Sequence, residues 1–268
     1  MGETEFANME KFLLEMLEEA SALLLRMQGN AAVSNKSWHD LVTEADVASQ
    51  KLIIGKIKRK YPNHTIFAEE GMDKADLHAN DCWVIDPLDG TNNYAYGLPL
   101  WGISIGYAKK GELRAGGIAY PNQGIFLIAI KGKGAFEYRL EEGKISSPKR
   151  MKVSERRTLK EAMVLVCPAP HSVDGPKNFE KLGRAASKVF SIRQFGAAIY
   201  EIGYVAQGLC EVCILFRLKP HDGAAGALLI EEAGGKVTDL DGKKWKLDSP
   251  SFVGTNGKFH KEIIEMLE

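Results

Sequence analysis

The chain has 268 residues, 45% of them hydrophobic, with Lys+Arg and Asp+Glu both at 35 and a formal net charge of zero. That length lies near the upper size for one growing core, so it predicts one compact unit with two lobes. The balanced charge gives no overall electrostatic case for nucleic-acid or membrane binding. The four scattered cysteines, Cys82, Cys167, Cys210 and Cys213, do not form a disulfide framework.

The start, Met1-Gly2-Glu3-Thr4-Glu5, has no basic segment and no apolar signal core, and no apolar run reaches the length of a membrane span. The expectation is a soluble cytoplasmic protein. Phe6, Met9, Leu13, Met16, Leu17, Ala20, Leu24 and Met27 recur at helical spacing and predict a helix over 6–27. Leu52, Ile53 and Ile57 predict a second over 43–60, ended by Tyr61-Pro62-Asn63. His64 to Ala68 is a short strand candidate running into Glu69-Glu70-Gly71. Trp83 to Ile85 reads as a buried strand that ends in Asp86 and Asp89, with Gly90, Thr91 and Asn92 as a turn opening a helix.

Strands are predicted over 102–108, 114–120, 124–130 and 135–138. The polar stretch 139–155 is the candidate boundary between an N-terminal lobe, 1–150, and a C-terminal lobe, 151–268. Beyond it, strands at 162–166, 189–193, 210–216 and 252–255 alternate with helices at 177–188, 196–207, 222–233 and 257–267, which argues layered α/β. Cys210 and Cys213 form a C-x-x-C spacing on a predicted strand, where their side chains point to opposite faces. With no second pair or nearby histidine, they read as buried apolar cysteines.

Chemistry concentrates in four segments. Glu69, Glu70, Asp86 and Asp89 end two strands, and neighbouring strands would bring these carboxylates to one edge, where their repulsion needs a cation. Oxygen ligands suit Mg²⁺, and N–H groups at a helix start suit a phosphate, so the segment is built for phosphoryl chemistry. Pro87 fixes φ and holds Asp86, the Leu88 carbonyl and Asp89 in relation to each other. Read alone, Asp89-Gly90 is also a turn signal. Asp222 occupies the N-cap position of the helix after Pro220-His221; taken alone it reads first as a plain cap, though a carboxylate there could also face a metal, and His221 reads as a packing or capping residue. Thr43 as cap and Asp46 in the first turn read as helix initiation, which the sequence alone favours over a water-orienting role for the Asp46 carboxylate. Arg217 and Lys219 offer cations for a substrate anion or a solvated strand exit.

Together Asp40-Leu41-Val42-Thr43-Glu44-Ala45-Asp46, Glu69-Glu70-Gly71, Trp83 to Thr91, Gly196-Ala197-Ala198 and His221-Asp222-Gly223-Ala224-Ala225-Gly226 resemble, in order and spacing, the inositol monophosphatase family of lithium-sensitive, Mg²⁺-dependent phosphatases. The resemblance implies a five-layered αβαβα sandwich, a homodimer and two to three Mg²⁺ ions. It implies Glu69, Asp86 and the Leu88 carbonyl as ligands of a first ion, Asp86, Asp89 and Asp222 of a second, and Glu69 sharing a third. It gives Gly90, Thr91 and Asn92 to the phosphate and Gly196, Ala197 and Ala198 to the substrate; Arg217 joins the substrate candidates on its charge alone. Thr91 and Asp46, supported by Glu70, would orient the attacking water.

Two positions depart from the family's pattern. His221 stands where many members have Trp. Leu215 stands where inositol-preferring members have a hydroxyl-binding Glu, and a Leu cannot accept those bonds. The expected activity is phosphate monoester hydrolysis resembling that of inositol-1-monophosphatase. The same chemistry on fructose 1,6-bisphosphate or the 2′-phosphate of NADP(H) is the alternative. From another class, a regulatory binding protein of the transcription machinery would share the fold. A two-metal nuclease would need a basic groove with stacking aromatics, which the sequence lacks.

Overall fold

A computed structural model of the protein describes residues 3–37, 40–169 and 172–267. Met1 and Gly2, on which the expectation of no leader rested, lie outside the described residues, as do the side chains of Phe6, Asp40 and Leu41. No described helix is long and apolar enough to cross a membrane.

The chain opens with α1 (Glu3–Met27), a hairpin of β1 (Val33–Ser37) and β2 (Asp40–Thr43), and α2 (Glu44–Lys60). Next come β3 (Thr65–Ala68), β4 (Cys82–Asp89), the single-turn α3 (Thr91–Ala95), β5 (Gly102–Lys109), β6 (Glu112–Tyr120), β7 (Ile125–Ile130) and β8 (Gly134–Glu141). Two short strands, β9 (Lys144–Ile145) and β10 (Lys149–Arg150), both pair with β8. The first sheet runs in the order β10-β8-β7-β6-β5-β4-β3, antiparallel except for the parallel pair β3–β4. The second half contains β11 (Met163–Cys167), α4 (Gly175–Ala186), β12 (Ser191–Arg193), α5 (Ala198–Ala206), β13 (Val212–Leu215), α6 (Pro220–Glu232), β14 (Lys236–Thr238), β15 (Phe252–Thr255) and α7 (His260–Leu267). Its sheet has the order β12-β11-β13-β15-β14.

Alternating side chains explain the layers. Trp83 and Ile85 of β4 pack with Leu13, Met16 and Leu17 of α1 and Ile53 of α2, while Val84 between them joins Ile202 of α5 and Leu228 of α6. Both faces of β4 are covered, which is why Trp83 to Ile85 is an unbroken apolar run. Val164 and Ile214 of the second sheet pack with Leu182 of α4 and Ile263 of α7. The result is five layers: α1 and α2, the first sheet, α5 and α6, the second sheet, α4 and α7.

Small residues let α6 lie close to its neighbours. A Cβ on Gly106 would come within 2.9 Å of Ala224, one on Gly116 within 2.8 Å of the Ala225 backbone, and one on Gly226 within 2.3 Å of Ile202. The Gly223–Gly226 stretch therefore serves packing between sheet and helix.

Several boundaries differ from the sequence expectation. β4 continues through both aspartates, its pairing with β5 interrupted between Asp86 and Asp89. Pro87, which has no N–H to donate, falls in that interruption. The hairpin β1–β2 and the strands β9, β10 and β14 are short and largely polar, so no periodicity announced them. Cys210 precedes β13 rather than lying on it, and the four cysteines are free.

Candidate active site

The site grows from the end of β4. Asp86 is 2% exposed, and its Oδ1 accepts the Leu88 N–H at 3.1 Å. Asp89 Oδ2 accepts the Ile199 N–H at 2.7 Å from the first turn of α5. Because β3 runs parallel to β4 with Ala68 opposite Ile85, Glu69 emerges beside Asp86, and its N–H reaches the Ile85 carbonyl at 3.3 Å. Asp222 arrives from α6. The helix begins at Pro220, so Asp222 is its third residue and not its N-cap; Oδ2 accepts the Lys219 N–H at 2.8 Å. A proline at the first helical position starts the helix two residues earlier than the sequence reading placed it.

Glu69, Asp86, Leu88, Asp89, Gly90, Thr91, Asn92, Gly196 and Asp222 line one cavity of about 180 Å³. Burial and the facing carboxylates of Glu69, Asp89 and Asp222 push the Asp86 carboxyl well above the ordinary range. Burial and Asp222 do the same to Asp89. Burial also raises Asp222, against the opposing His221 and Lys219. The cations at hand are few: Lys219 Nζ stands 3.7 Å from Glu69 Oε1. Four carboxylates and a carbonyl in one small cavity are an oxygen donor set for hard divalent cations. That donor set fits magnesium.

Beside the cavity, Asp46 is fully buried at the start of α2. Its Oδ2 accepts from the Thr43 N–H at 2.8 Å and from Thr43 Oγ1 at 2.6 Å. Thr43 Oγ1 in turn accepts the Ala45 N–H, so helix initiation fixes the carboxylate. Thr91 Oγ1–H can donate to Asp46 Oδ1 at 3.1 Å or to the Leu88 carbonyl at 3.0 Å. Glu70 is held through its backbone by both amide atoms of Gln50, at 2.7 and 3.0 Å, and its charge raises the Asp46 carboxyl beyond the larger effect of burial. Gly90 adopts φ +81°, and a Cβ there would stand 2.9 Å from the Leu100 carbonyl and 3.0 Å from Ala197, so this corner tolerates only glycine.

Gly196 reaches the cavity, while Ala197 is buried as the residue before α5 and Ala198 opens that helix. Arg217 is exposed and does not line the cavity; Lys219 is the cation that approaches it. Leu215 is 1% exposed inside the core of the second sheet, away from the lining. His221 is buried with Nε2 3.4 Å from Asp222 Oδ1 and 4.0 Å from Glu69 Oε2; a nitrogen of its ring falls in one cluster of ligand atoms with Glu69 and Asp86.

Two supporting residues escaped the sequence reading. Glu201 is fully buried in α5, and its Oε1 accepts the Phe195 and Gly196 N–H groups at 3.0 and 3.2 Å; burial pushes its carboxyl up to about 7. Asn93 Nδ2 donates to the Leu100 and Phe195 carbonyls at 2.7 and 2.8 Å. A lone Glu within the apolar run Ala198-Ile199-Tyr200-Glu201-Ile202 was the available signal for the first.

A profile of the inositol monophosphatase family matches residues 5–268. The chain belongs to the inositol monophosphatase family. Its members are phosphatases, so this protein is a phosphoric monoester hydrolase. A fructose-1,6-bisphosphatase/inositol-1-monophosphatase of Thermotoga maritima is 33% identical over 259 residues, covering 96% of this chain and 94% of the relative. The Nus factor SuhB of Pseudomonas aeruginosa is 33% identical over 243 residues, covering 88% and 86%. The solved structure of a Thermotoga maritima IMPase superposes with a TM-score of 0.83 at 32% identity, covering 96% and 95%. The family membership extends over both sheets and every segment that builds the cavity.

Proposed function

We propose that this inositol monophosphatase family member hydrolyses sugar or polyol phosphate monoesters with magnesium held by Glu69, Asp86, the Leu88 carbonyl, Asp89 and Asp222. The observation that carries this reading is the convergence of four carboxylates on a cavity of about 180 Å³ with one lysine at its edge. Glu69, Asp86 and the Leu88 carbonyl form the first ligand group, and Asp86, Asp89 and Asp222 the second, with Glu69 available to a third ion. Bound magnesium would supply charge neutralisation and a water of lowered pKa.

The chain's own residues do the positioning. Thr91 Oγ1, with its hydrogen committed to Asp46, presents lone pairs to a water and aligns it for in-line attack on phosphorus. As the water oxygen bonds to phosphorus, its proton passes to Thr91 Oγ1 and the Thr91 proton to Asp46, with the Glu70 charge beside the pair favouring that uptake. The P–O ester bond breaks on the opposite side, and the departing alcohol oxygen, whose charge a metal held by Asp86, Asp89 and Asp222 would offset, takes up a proton from solvent. The Gly90 and Thr91 N–H groups and Asn92 face the phosphate oxygens, since the first N–H groups of a helical turn have no intrahelical acceptor. Gly196, backed by the buried Ala197 and by Ala198 at the start of α5, forms the wall against which the alcohol portion rests, and Lys219 stands at the cavity edge beside Glu69. Fixed groups of this kind lower the barrier by orientation and preorganised charge.

The Thermotoga relative is named for both fructose-1,6-bisphosphatase and inositol-1-monophosphatase, which supports that substrate class. The test is phosphate release with Mg²⁺ from inositol 1-phosphate, fructose 1,6-bisphosphate, NADP and 3′-phosphoadenosine 5′-phosphate. Release by wild type and not by Asp89→Asn supports the reading; silence on every compound rejects it. The Pseudomonas relative's name, Nus factor, supports a second reading as a binding partner of transcription proteins. Capture of such proteins by the inactive Asp89→Asn chain separates the two roles.

A further inference from the structure

A second cavity, of about 390 Å³, lies at the other end of the first sheet. Its floor includes the β5–β6 turn at Lys110 and Gly111 and the C-terminal half of α6 at Ala227 and Glu231. Gly102, at the opposite end of β5, pairs with Asp89. Seven residues of strand separate the two ends, about 23 Å at ~3.3 Å per residue. The two cavities are therefore distinct.

The charge here is the reverse of that in the acidic cavity. Two of the lining cations are matched: Arg114 Nη2 with Glu112 at 2.7 Å, and Lys131 Nζ with Glu231 at 2.8 Å. Lys110, Lys244 and Lys246 also line the cavity and have no ion-pair partner among the described residues. Two buried donors on lining side chains, Trp245 Nε1–H and Arg114 Nε–H, lack an acceptor as well. Between the cations the wall is apolar, with Leu113 and Leu247 beside the Trp245 ring.

The geometry points to a binding site for a small organic polyanion: a phosphorylated metabolite of nucleotide size, with two or more negative charges and an apolar body. Three uncommitted ammonium groups around one concavity call for multiple anionic oxygens. Orphaned buried N–H donors call for acceptors. A volume near 400 Å³ with mixed lining is that of a small-molecule pocket, since pockets run from about 300 to 1,000 Å³.

Isothermal titration of the full chain with α,β-methylene ADP, at about 0.1 M salt and with EDTA present, tests this. Without metal, the acidic cavity repels the probe, and the methylene bridge prevents hydrolysis. One site per chain is expected. The double substitution Lys244→Glu/Lys246→Glu, at two exposed positions, weakens it by about tenfold or more. Lys188→Glu, the same kind of charge change on the exposed end of the segment after α4, leaves it unchanged. Absence of heat up to about 1 mM probe overturns the proposal. So does equal weakening by Lys188→Glu, which would mean attraction to the overall charge. Inorganic pyrophosphate binding as tightly as the nucleotide analogue would overturn the assignment to an organic ligand.

Discussion

Helix α6 spans two cavities of opposite sign, and they are built in opposite ways. At its N-terminal end the carboxylates of Asp86, Asp89 and Asp222 are each fixed by a backbone N–H, from Leu88, Ile199 and Lys219 respectively. They sit where water is scarce and their carboxyls are pushed upward. At the C-terminal end Lys110, on the turn after β5, and Lys244 and Lys246, between β14 and β15, stand exposed with flexible stems. The first arrangement holds charge in place before anything binds, which chemistry needs. The second arrangement adapts to a ligand and is screened by salt, which suits recognition.

The sharpest way to break this contrast is to remove one charge from the rigid cavity. Asp89→Asn keeps the shape and an acceptor for the Ile199 N–H but removes a carboxylate shared with the proposed metal site. A loss of about 10³-fold in kcat is expected, corresponding to roughly 4 kcal/mol of lost charge stabilisation. A variant within a factor of a few of wild type would remove Asp89 from the ligand set. Thr91→Val comes next. It preserves volume and deletes the hydroxyl between Asp46 and the cavity. Orientation of the attacking water is worth about 10²-fold, so kcat should fall by that much with little change in KM.

Much of this rigid end was legible before the fold was known, because its parts are local. The apolar run Trp83–Ile85 followed by Asp86-Pro87-Leu88-Asp89 encodes a strand covered on both faces and a turn held by proline. Thr43 and Asp46 announce a helix start by three-residue spacing, and the structure uses the same hydrogen bonds to fix Asp46 for Thr91. Asp222 was found by its helix but misplaced by three positions, since Lys219 and not Asp222 caps it and Pro220 is its first residue. Leu215 and Arg217 show the limit: strand direction decides which residue reaches a cavity, and here one is in the core and the other in solvent. Glu201 was invisible because its partners, the Phe195 and Gly196 N–H groups, are defined only by the turn that precedes α5. The basic cavity escaped for a related reason: its lysines come from loops separated by more than a hundred residues.

Metal should stabilise the rigid end in a pH-dependent way. Burial and neighbouring carboxylates raise the folded-state pKa of Asp86 and of Asp89 above the unfolded value. The associated stability is fully present below the unfolded value, at about pH 4, and is lost as pH rises through the folded values. Metal-free protein should therefore melt lower at about pH 8 than at about pH 5. A fixed Mg²⁺ concentration that reaches 100 times Kd at about pH 8 adds roughly 2.7 kcal/mol there, or about 5–10 °C in Tm, and the gain should be smaller at about pH 5, where protons compete for the carboxylates. A gain independent of pH would mean that the carboxylates do not compete with protons for the ion.

Glu201→Gln carries the smallest effect and separates support from chemistry. The amide oxygen can still accept the Phe195 and Gly196 N–H groups, so the Gly196 wall keeps its shape. What disappears is a carboxyl that burial has moved up to about 7. Its stability contribution is present below the unfolded value and lost as pH rises through 7. At about pH 8 the wild type therefore holds a buried charge, one oxygen of which has no partner, and the variant does not. Thermal melts should show Glu201→Gln more stable at about pH 8 by about 1–2 kcal/mol, with the difference shrinking at about pH 5 and vanishing only near about pH 4. Equal melting at both pH values would mean that burial does not raise the folded-state carboxyl above its unfolded value. A lowered kcat with unchanged melting would mean that its charge acts on the neighbouring Asp89 and not only on the fold.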